Sequence, residues 1–387
     1  MRNVYILTAA QALAGCGTIM LVAFGGIAGA RIAPMPEIAT LPLSLSILGL
    51  AAMSLPAALL MQRIGRQRAF IGGALALAAA ALLCAFAIAR ANFALLCVAG
   101  ALLGANMAFV QQYRFAATEY LPPEQAGRGV STVLLGTLAA AVIGPFVGQW
   151  VRHWGGWREY TASYVALAGL CVAAAVVLTR LTPAPSASVG PTHGGRPLAA
   201  ILRQPSYVAA VFAGVSAYAV MSFIMTATPL SMHEIDGFSG GETSAVITAH
   251  LIGMYLPSLF TPVLMRVLGH KRMMLWGIVA MFACVLIAVF VGRHFMHYFW
   301  ALALLGIGWN LMFVAATTQL TATYAAAERF RAQGFNDLAI FGTQGLASLA
   351  AGAAISSAGW ATVNLVTLPV LALVTVSVLV FNRLEKR

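Results

Sequence analysis

Met221 and Met225 stand four residues apart in one apolar stretch, and His250 and Met254 stand four apart in the next. In a helix, positions i and i+4 share a face about one turn apart, so each pair aims two donor atoms the same way. Thioether sulfur is a soft, uncharged donor suited to Cu(I), and imidazole is a common companion. Zn(II) or Mn(II) would call for carboxylates or more histidines, and residues 207–228 and 243–265 contain no acid. At about 1.5 Å per residue, Met221 and His250 lie roughly 12 and 10 Å below the same end of their helices. With Met225 shallower and Met254 deeper, the two consecutive antiparallel helices would carry a ladder of soft ligands on facing sides. Met232 and His233, just past the first stretch, are the entry candidates. Methionine is also adaptable packing material, and a lone histidine in an apolar helix often bonds a carbonyl or bridges helices. The spacing leaves metal binding and packing equally open.

A second polar set lies elsewhere in apolar sequence: Asn106, Gln111, Gln112 and Arg114, then Trp309 and Asn310, then Asn336, Asp337 and Gln344. Trp309 and Asn310 could stack on and hydrogen-bond a flat organic ligand. Arg114 and Asp337 read first as an inter-helix pair or an inner gate.

The surroundings of these residues are those of a membrane protein. The chain of 387 residues is 61% hydrophobic and 8% charged, with a mean hydropathy of +0.89; soluble domains carry about 25% charged residues. Twelve apolar runs of about 20 residues recur, near 4–29, 40–61, 70–89, 93–115, 130–150, 161–180, 207–228, 243–265, 273–292, 297–320, 335–356 and 361–382. The first is too long for the apolar core of a secretory signal, and Pro34, Pro36 and Glu37 lead straight into the next, so it reads as an uncleaved span. The net charge of +12 is unevenly distributed. With the N-terminus inside, sixteen Lys and Arg fall in cytoplasmic segments and five outside, which puts both termini in the cytoplasm. The basic pI is a topology signal and gives no reason to expect nucleic acid. All five cysteines fall inside spans, with no CxxC. Neither lysine is followed by Ser or Thr, so the chain has no P-loop for ATP.

Residues 181–206, rich in Pro, Gly and Ser, read as a cytoplasmic linker between a bundle at 1–180 and another at 207–387. The halves echo each other. "LMQRIGRQR" (Leu60–Arg68) matches "LMRVLGHKR" (Leu264–Arg272) at an offset of 204 residues, and "LLGANM" (Leu102–Met107) matches "LLGIGWNLM" (Leu304–Met312). The expected fold is an all-α polytopic membrane protein, twelve helices in two pseudo-symmetric six-helix bundles, as a two-domain transporter would show.

With Arg63–Ile64–Gly65–Arg66–Gln67–Arg68 between spans 2 and 3, the chain resembles the major facilitator superfamily, although Gln62 stands where an acid is usual. Gly144–Pro145 with Gly148 is similar to the Gly-Pro motif of some exporters in that superfamily, and close helix packing explains it equally well. MxxxM in span 7, HxxxM in span 8, "MTATPLSMH" closing span 7, "QYRFAATE" (Gln112–Glu119) and "RAQGFNDLAIFGT" (Arg331–Thr343) resemble the CcoA-like transporters, over all twelve helices. That resemblance implies an inner-membrane importer, with Met221, Met225, His250 and Met254 as ligands. Copper would be transported substrate with no permanently bound cofactor, passed to cytoplasmic copper acceptors for cbb3-type cytochrome oxidase assembly. It also implies that helices 1, 4, 7 and 10 line a central cavity, putting Asn106, Gln111, Arg114, Trp309, Asn310 and Asp337 in the cavity or its gate. The same family contains riboflavin transporters, so riboflavin or another small organic molecule is the alternative cargo. No enzyme activity is expected.

Overall fold

The computed structural model describes residues 1–35, 38–183 and 195–384. Pro36 and Glu37 of the first connection, residues 184–194 of the expected linker, and Lys386 and Arg387 lie outside the described residues. Among the described residues the chain is helical, without strands. That follows from the sequence: in lipid a long apolar segment must satisfy its backbone internally, and a helix does so without a partner.

The first helices are α1 (Arg2–Ile32), α2 (Leu41–Ile64), α3 (Arg66–Ala89), α4 (Phe93–Thr118), α5 (Pro123–Val151), α6 (Thr161–Leu178) and α7 (Pro205–His233). Next, α8 starts as Gly240–Tyr255, passes through a 3-10 turn at Leu256–Leu259 and continues into the helix Thr261–Leu286, which breaks at Gly269. Beyond that break, 270–286 with the π-helical end Ile287–Val291 forms α9. The last elements are α10 (Phe295–Thr321), then α11 and α12, which divide the helix Arg329–Leu365 at Gly359; α12 continues as Thr367–Leu384. By length and composition ten segments can cross a membrane. One of these, Arg329–Val380, holds both α11 and α12, and α8 falls short only because its turn divides it. The expected twelve spans are thus present.

Local signals set the boundaries. Asn92 caps α4 by accepting from Leu95 N at 2.9 Å. Ser239 and Glu242 form a reciprocal capping box on α8, satisfying backbone donors that the first turn leaves free. Gly65 and Gly269, one in each half's basic connection, turn the chain at φ 83° and 72°. A side chain is strained at such angles, so glycine is needed at both.

The chain forms two compact units. The first comprises Met1–Pro122, Thr132–Gly195 and Ala326–Gly342; the second comprises Pro123–Ser131, Arg196–Ala325 and Thr343–Arg387. Each unit therefore takes in the opening turns of a helix, α11 or α5, whose remainder belongs to the other. In the first unit α4 packs on α2 and α3, and α6 packs on α3 and α1. Gly144 and Gly148 of α5 lie against Cys16, Met20 and Phe24 of α1, so this Gly-Pro segment has a packing role. In the second unit α10 is the hub: α7, α8 and α9 all pack on it, and α12 covers α7 and α9.

The internal repeat extends to atomic contacts. Gly104 of α4 leaves no room for a Cβ against the Ser46 carbonyl of α2, and Gly306 of α10 leaves none against the His250 carbonyl of α8. Gly49 and Gly253 meet the carbonyls of Ala101 and Ala303 in the same way. In lipid, helices associate through such close backbone approach, because the apolar surroundings offer no gain from burying apolar surface. The 204-residue offset relates Ser46 to His250. One slot is filled by a hydroxyl in the first unit and by an imidazole in the second.

Candidate functional site

His250 is fully buried in α8, on the face that Gly306 brings against α10. Its Nδ1–H donates to the Leu302 carbonyl at 2.9 Å. A carbonyl can only accept, so the proton is on Nδ1 and the Nε2 lone pair is free. That Nε2 is buried, with no hydrogen-bond partner among the described residues. One turn on, Met254 is buried, and its carbonyl accepts from Asn310 Nδ2 at 2.7 Å. The same amide donates to Ser258 Oγ at 2.7 Å. In α7, Met221 is 5% exposed and Met225 is half-buried.

The four expected ligands lie in one unit, but α7 and α8 do not face each other as the reading of consecutive antiparallel helices supposed. Both pack on α10 and have little direct contact with one another. The physical reason is the small-residue face of α8, with Gly253 opposite Ala303 and Gly306 opposite His250, which seats α8 on α10 instead. A second correction concerns the mouth. Met232, expected to be open to incoming solute, is 0% exposed. His233 beside it is exposed, and its Nδ1 donates to the Phe238 carbonyl at 2.9 Å. The π-helical turn Leu230–Ile235 ends α7 there and turns the sulfur inward.

A buried aromatic group adjoins this region. Trp309, 1% exposed, stacks on Phe313 with centroids 5.0 Å apart and meets the rings of Tyr218 at 5.2 Å and Tyr255 at 5.8 Å edge-on. Tyr218, Phe313 and Tyr255 were not singled out in the sequence. Their signal was position: Phe313 is one turn from Trp309 on α10, and Tyr255 follows Met254. Trp309 Nε1 and Asn310 Oδ1 are buried without a hydrogen-bond partner among the described residues. One buried donor and one buried acceptor therefore lie unsatisfied, among the described residues, beside a π surface. Asn106, the counterpart of Asn310, is only half-buried and spends its amide on its own helix, at Leu102 O, 2.8 Å.

Of the remaining candidates, Gln111, Gln112, Arg114, Asn336 and Asp337 fall together in the first unit, and Gln344 lies in the second. Arg114 Nη2 pairs with Asp337 Oδ1, both groups almost wholly buried. Gln112 Nε2 donates to Asp337 Oδ2 at 2.8 Å, and Asn336 Nδ2 donates to Oδ1 at 3.0 Å. Gln111 supports the arginine through its backbone carbonyl, 2.6 Å, and its Oε1, 3.2 Å, from Nη1. A second network went unread in the sequence. Arg66 Nη2 reaches Glu119 Oε1 at 2.6 Å and Gln333 Oε1 at 2.7 Å, while Arg329 Nε lies 3.6 Å from Glu119. Arg66 had been counted only as one of a basic run; Glu119 and Gln333 lie in or beside the polar stretches already noted.

Twelve apolar helices in two repeats, with a buried Arg114–Asp337 pair in one unit and the buried His250, Trp309 and Asn310 in the other, are the architecture of a multi-pass solute transporter. Residues 7–239 and 210–387 match the sequence model of the Major Facilitator Superfamily. Riboflavin transporter RfnT of Brucella anthropi is 39% identical over 383 residues, covering 97% of this chain and 94% of that protein. In structure, the fucose:proton symporter FucP of E. coli superposes with a TM-score of 0.75 at 16% identity, covering 98% of each chain. A bacterial homologue of the iron transporter ferroportin, in an outward-facing state, gives 0.73 at 13% identity, covering 99% of this chain and 100% of that one. The chain belongs to the Major Facilitator Superfamily and is a membrane transporter of that type.

Proposed function

We propose that the chain carries riboflavin, or a closely similar flat heterocycle, across a bacterial inner membrane by alternating access, with both termini in the cytoplasm. The observation that carries this reading is the 39% identity, over nearly the whole chain, to a protein named a riboflavin transporter. The second unit offers suitable chemistry: an aromatic surface at Trp309 with an unpartnered indole N–H, and the unpartnered Oδ1 of Asn310. The ring would stack on aromatic side chains while its amide edge exchanges hydrogen bonds with that donor and acceptor. The alternative cargo of the sequence reading thereby becomes the main one.

The test is uptake of labelled riboflavin by cells lacking their own route, expressing wild type, Trp309→Phe or Asn310→Asp at matched membrane levels. Wild-type uptake that falls about five- to tenfold in each variant supports the reading, since loss of one stacking or hydrogen-bonding contact costs on the order of 1–1.5 kcal/mol. No riboflavin uptake by wild type sinks it.

One observation keeps copper as a second reading, with passage to cytoplasmic copper acceptors: the unpartnered Nε2 of buried His250, one turn from Met254. On that reading His250→Gln and Met221→Leu abolish uptake of radiolabelled copper. On the flavin reading, Met221→Leu leaves riboflavin uptake close to wild type, because it preserves volume.

A further inference from the structure

On the outer face of the first unit an open groove of about 610 Å³ runs between the start of α1 and the end of α6. It is lined by Tyr5, Ile6, Ala9 and Val177 together with Arg2 and Arg180. Both arginines are exposed, and neither has an ion-pair or hydrogen-bond partner among the described residues. A neighbouring bond joins the two segments that carry them. Asn3 Nδ2 donates to Thr182 Oγ1 at 2.7 Å, and Tyr120 OH donates to the Thr182 carbonyl at 2.6 Å. The first bond fastens the segment after α6 to the first turn of α1, and the second ties it to the end of α4.

Two cations that line one groove repel each other, and an anion bound in that groove relieves the repulsion. The apolar wall runs from Arg2 to Ala9, seven residues of helix or about 10 Å, along which part of an acyl chain can lie. Tyr5, 56% exposed, has the amphipathic ring favoured at the headgroup level. The positive-inside asymmetry assigns this end to the cytoplasm, the side where anionic lipid is concentrated. From the pairing of unpartnered guanidinium groups with a lipid-facing apolar groove, we infer that this face is a binding site for an anionic phospholipid. The phosphate is clamped by Arg2 and Arg180, and an acyl chain lies along Ile6, Ala9 and Val177. The site is independent of the cargo and of the residues assigned to transport.

The test uses the purified full chain in detergent, titrated with phosphatidylglycerol, phosphatidylcholine of the same acyl chains, or inorganic phosphate, with bound lipid counted by native mass spectrometry. Wild type should retain phosphatidylglycerol in preference to phosphatidylcholine. The double variant Arg2→Gln/Arg180→Gln should lose that preference by roughly thirtyfold, about 1 kcal/mol for each cation. Ala9→Trp, which keeps both charges and fills the groove, should weaken phosphatidylglycerol and leave inorganic phosphate without effect. Equal retention of the two lipids by wild type overturns the proposal. So does unchanged phosphatidylglycerol binding in the double variant or in Ala9→Trp, or displacement of the lipid by millimolar inorganic phosphate, which would mark a free-anion site.

Discussion

Asn310 uses one amide to hold two groups of α8, the Met254 carbonyl and Ser258 Oγ. Its replacement by leucine leaves both without their donor inside a bilayer. Asn310→Leu should therefore lower unfolding stability in detergent by about 1–3 kcal/mol. Asn106→Leu, whose amide serves only its own turn, should stay within about 0.5 kcal/mol. Melting curves of the two variants side by side check the contrast. Asp337→Leu strands the buried Arg114 charge and should cost about 3–5 kcal/mol, whereas the paired change Arg114→Met/Asp337→Leu should recover much of it. A double-mutant cycle on melting measures that coupling. Each polar residue in these networks could be picked out of the sequence, because charge and amide groups are conspicuous in apolar runs. Their pairing could not. Arg114 and Asp337 are 223 residues apart, and helical periodicity assigns a face without saying which neighbour meets it.

Among helices, α8 is the instructive case. Its existence and the shared buried face of His250 and Met254 are legible from apolar length and i, i+4 spacing. Its partner was misread, because adjacency in the chain suggested α7, whereas the small residues Gly253 and Gly306 seat it on α10. Gly306→Leu should separate α8 from α10 and abolish uptake along with much of the folded protein in the membrane. Gly169→Ala in α6, which has open space around it, should leave uptake intact. Expression-normalised transport assays and detergent melting distinguish the two. At the basic connection within each half, Gly65→Ala or Gly269→Ala forces a side chain into positive φ and should cost about 1–3 kcal/mol in the same melting assay.

For the molecule as a whole, the expected division at 181–206 separates α6 from α7, while the compact units also exchange the first turns of α5 and α11. The residues 326–342 belong with Arg66, Arg114 and Glu119, so a fragment covering 196–387 alone would carry a buried Asp337 without its arginine. That fragment should aggregate or be degraded, and co-expression with 1–195 should restore a folded, co-purifying pair. At the surface, Glu159 is held below the ordinary carboxylate range by a hydrogen bond from Arg31, with further help from the charges of Arg31, His153 and Arg152. A depressed acid contributes stability above its unfolded value, near 4.3, and that contribution vanishes as pH falls through the folded value. Wild type and Glu159→Gln should thus differ in melting temperature at neutral pH and converge below about pH 4. Melting across a pH series reads this directly.

Five of the seven tryptophans, Trp150, Trp154, Trp157, Trp276 and Trp300, are exposed on the helix bundle, and only Trp309 and Trp360 are sealed inside. The protein therefore carries a built-in optical reporter. A quencher confined to water and lipid darkens the outer five and spares the inner two, and Trp360→Phe leaves the surviving glow to Trp309 alone. Any cargo that comes to rest against that indole would announce its arrival by dimming it, turn after turn, without a label on either molecule.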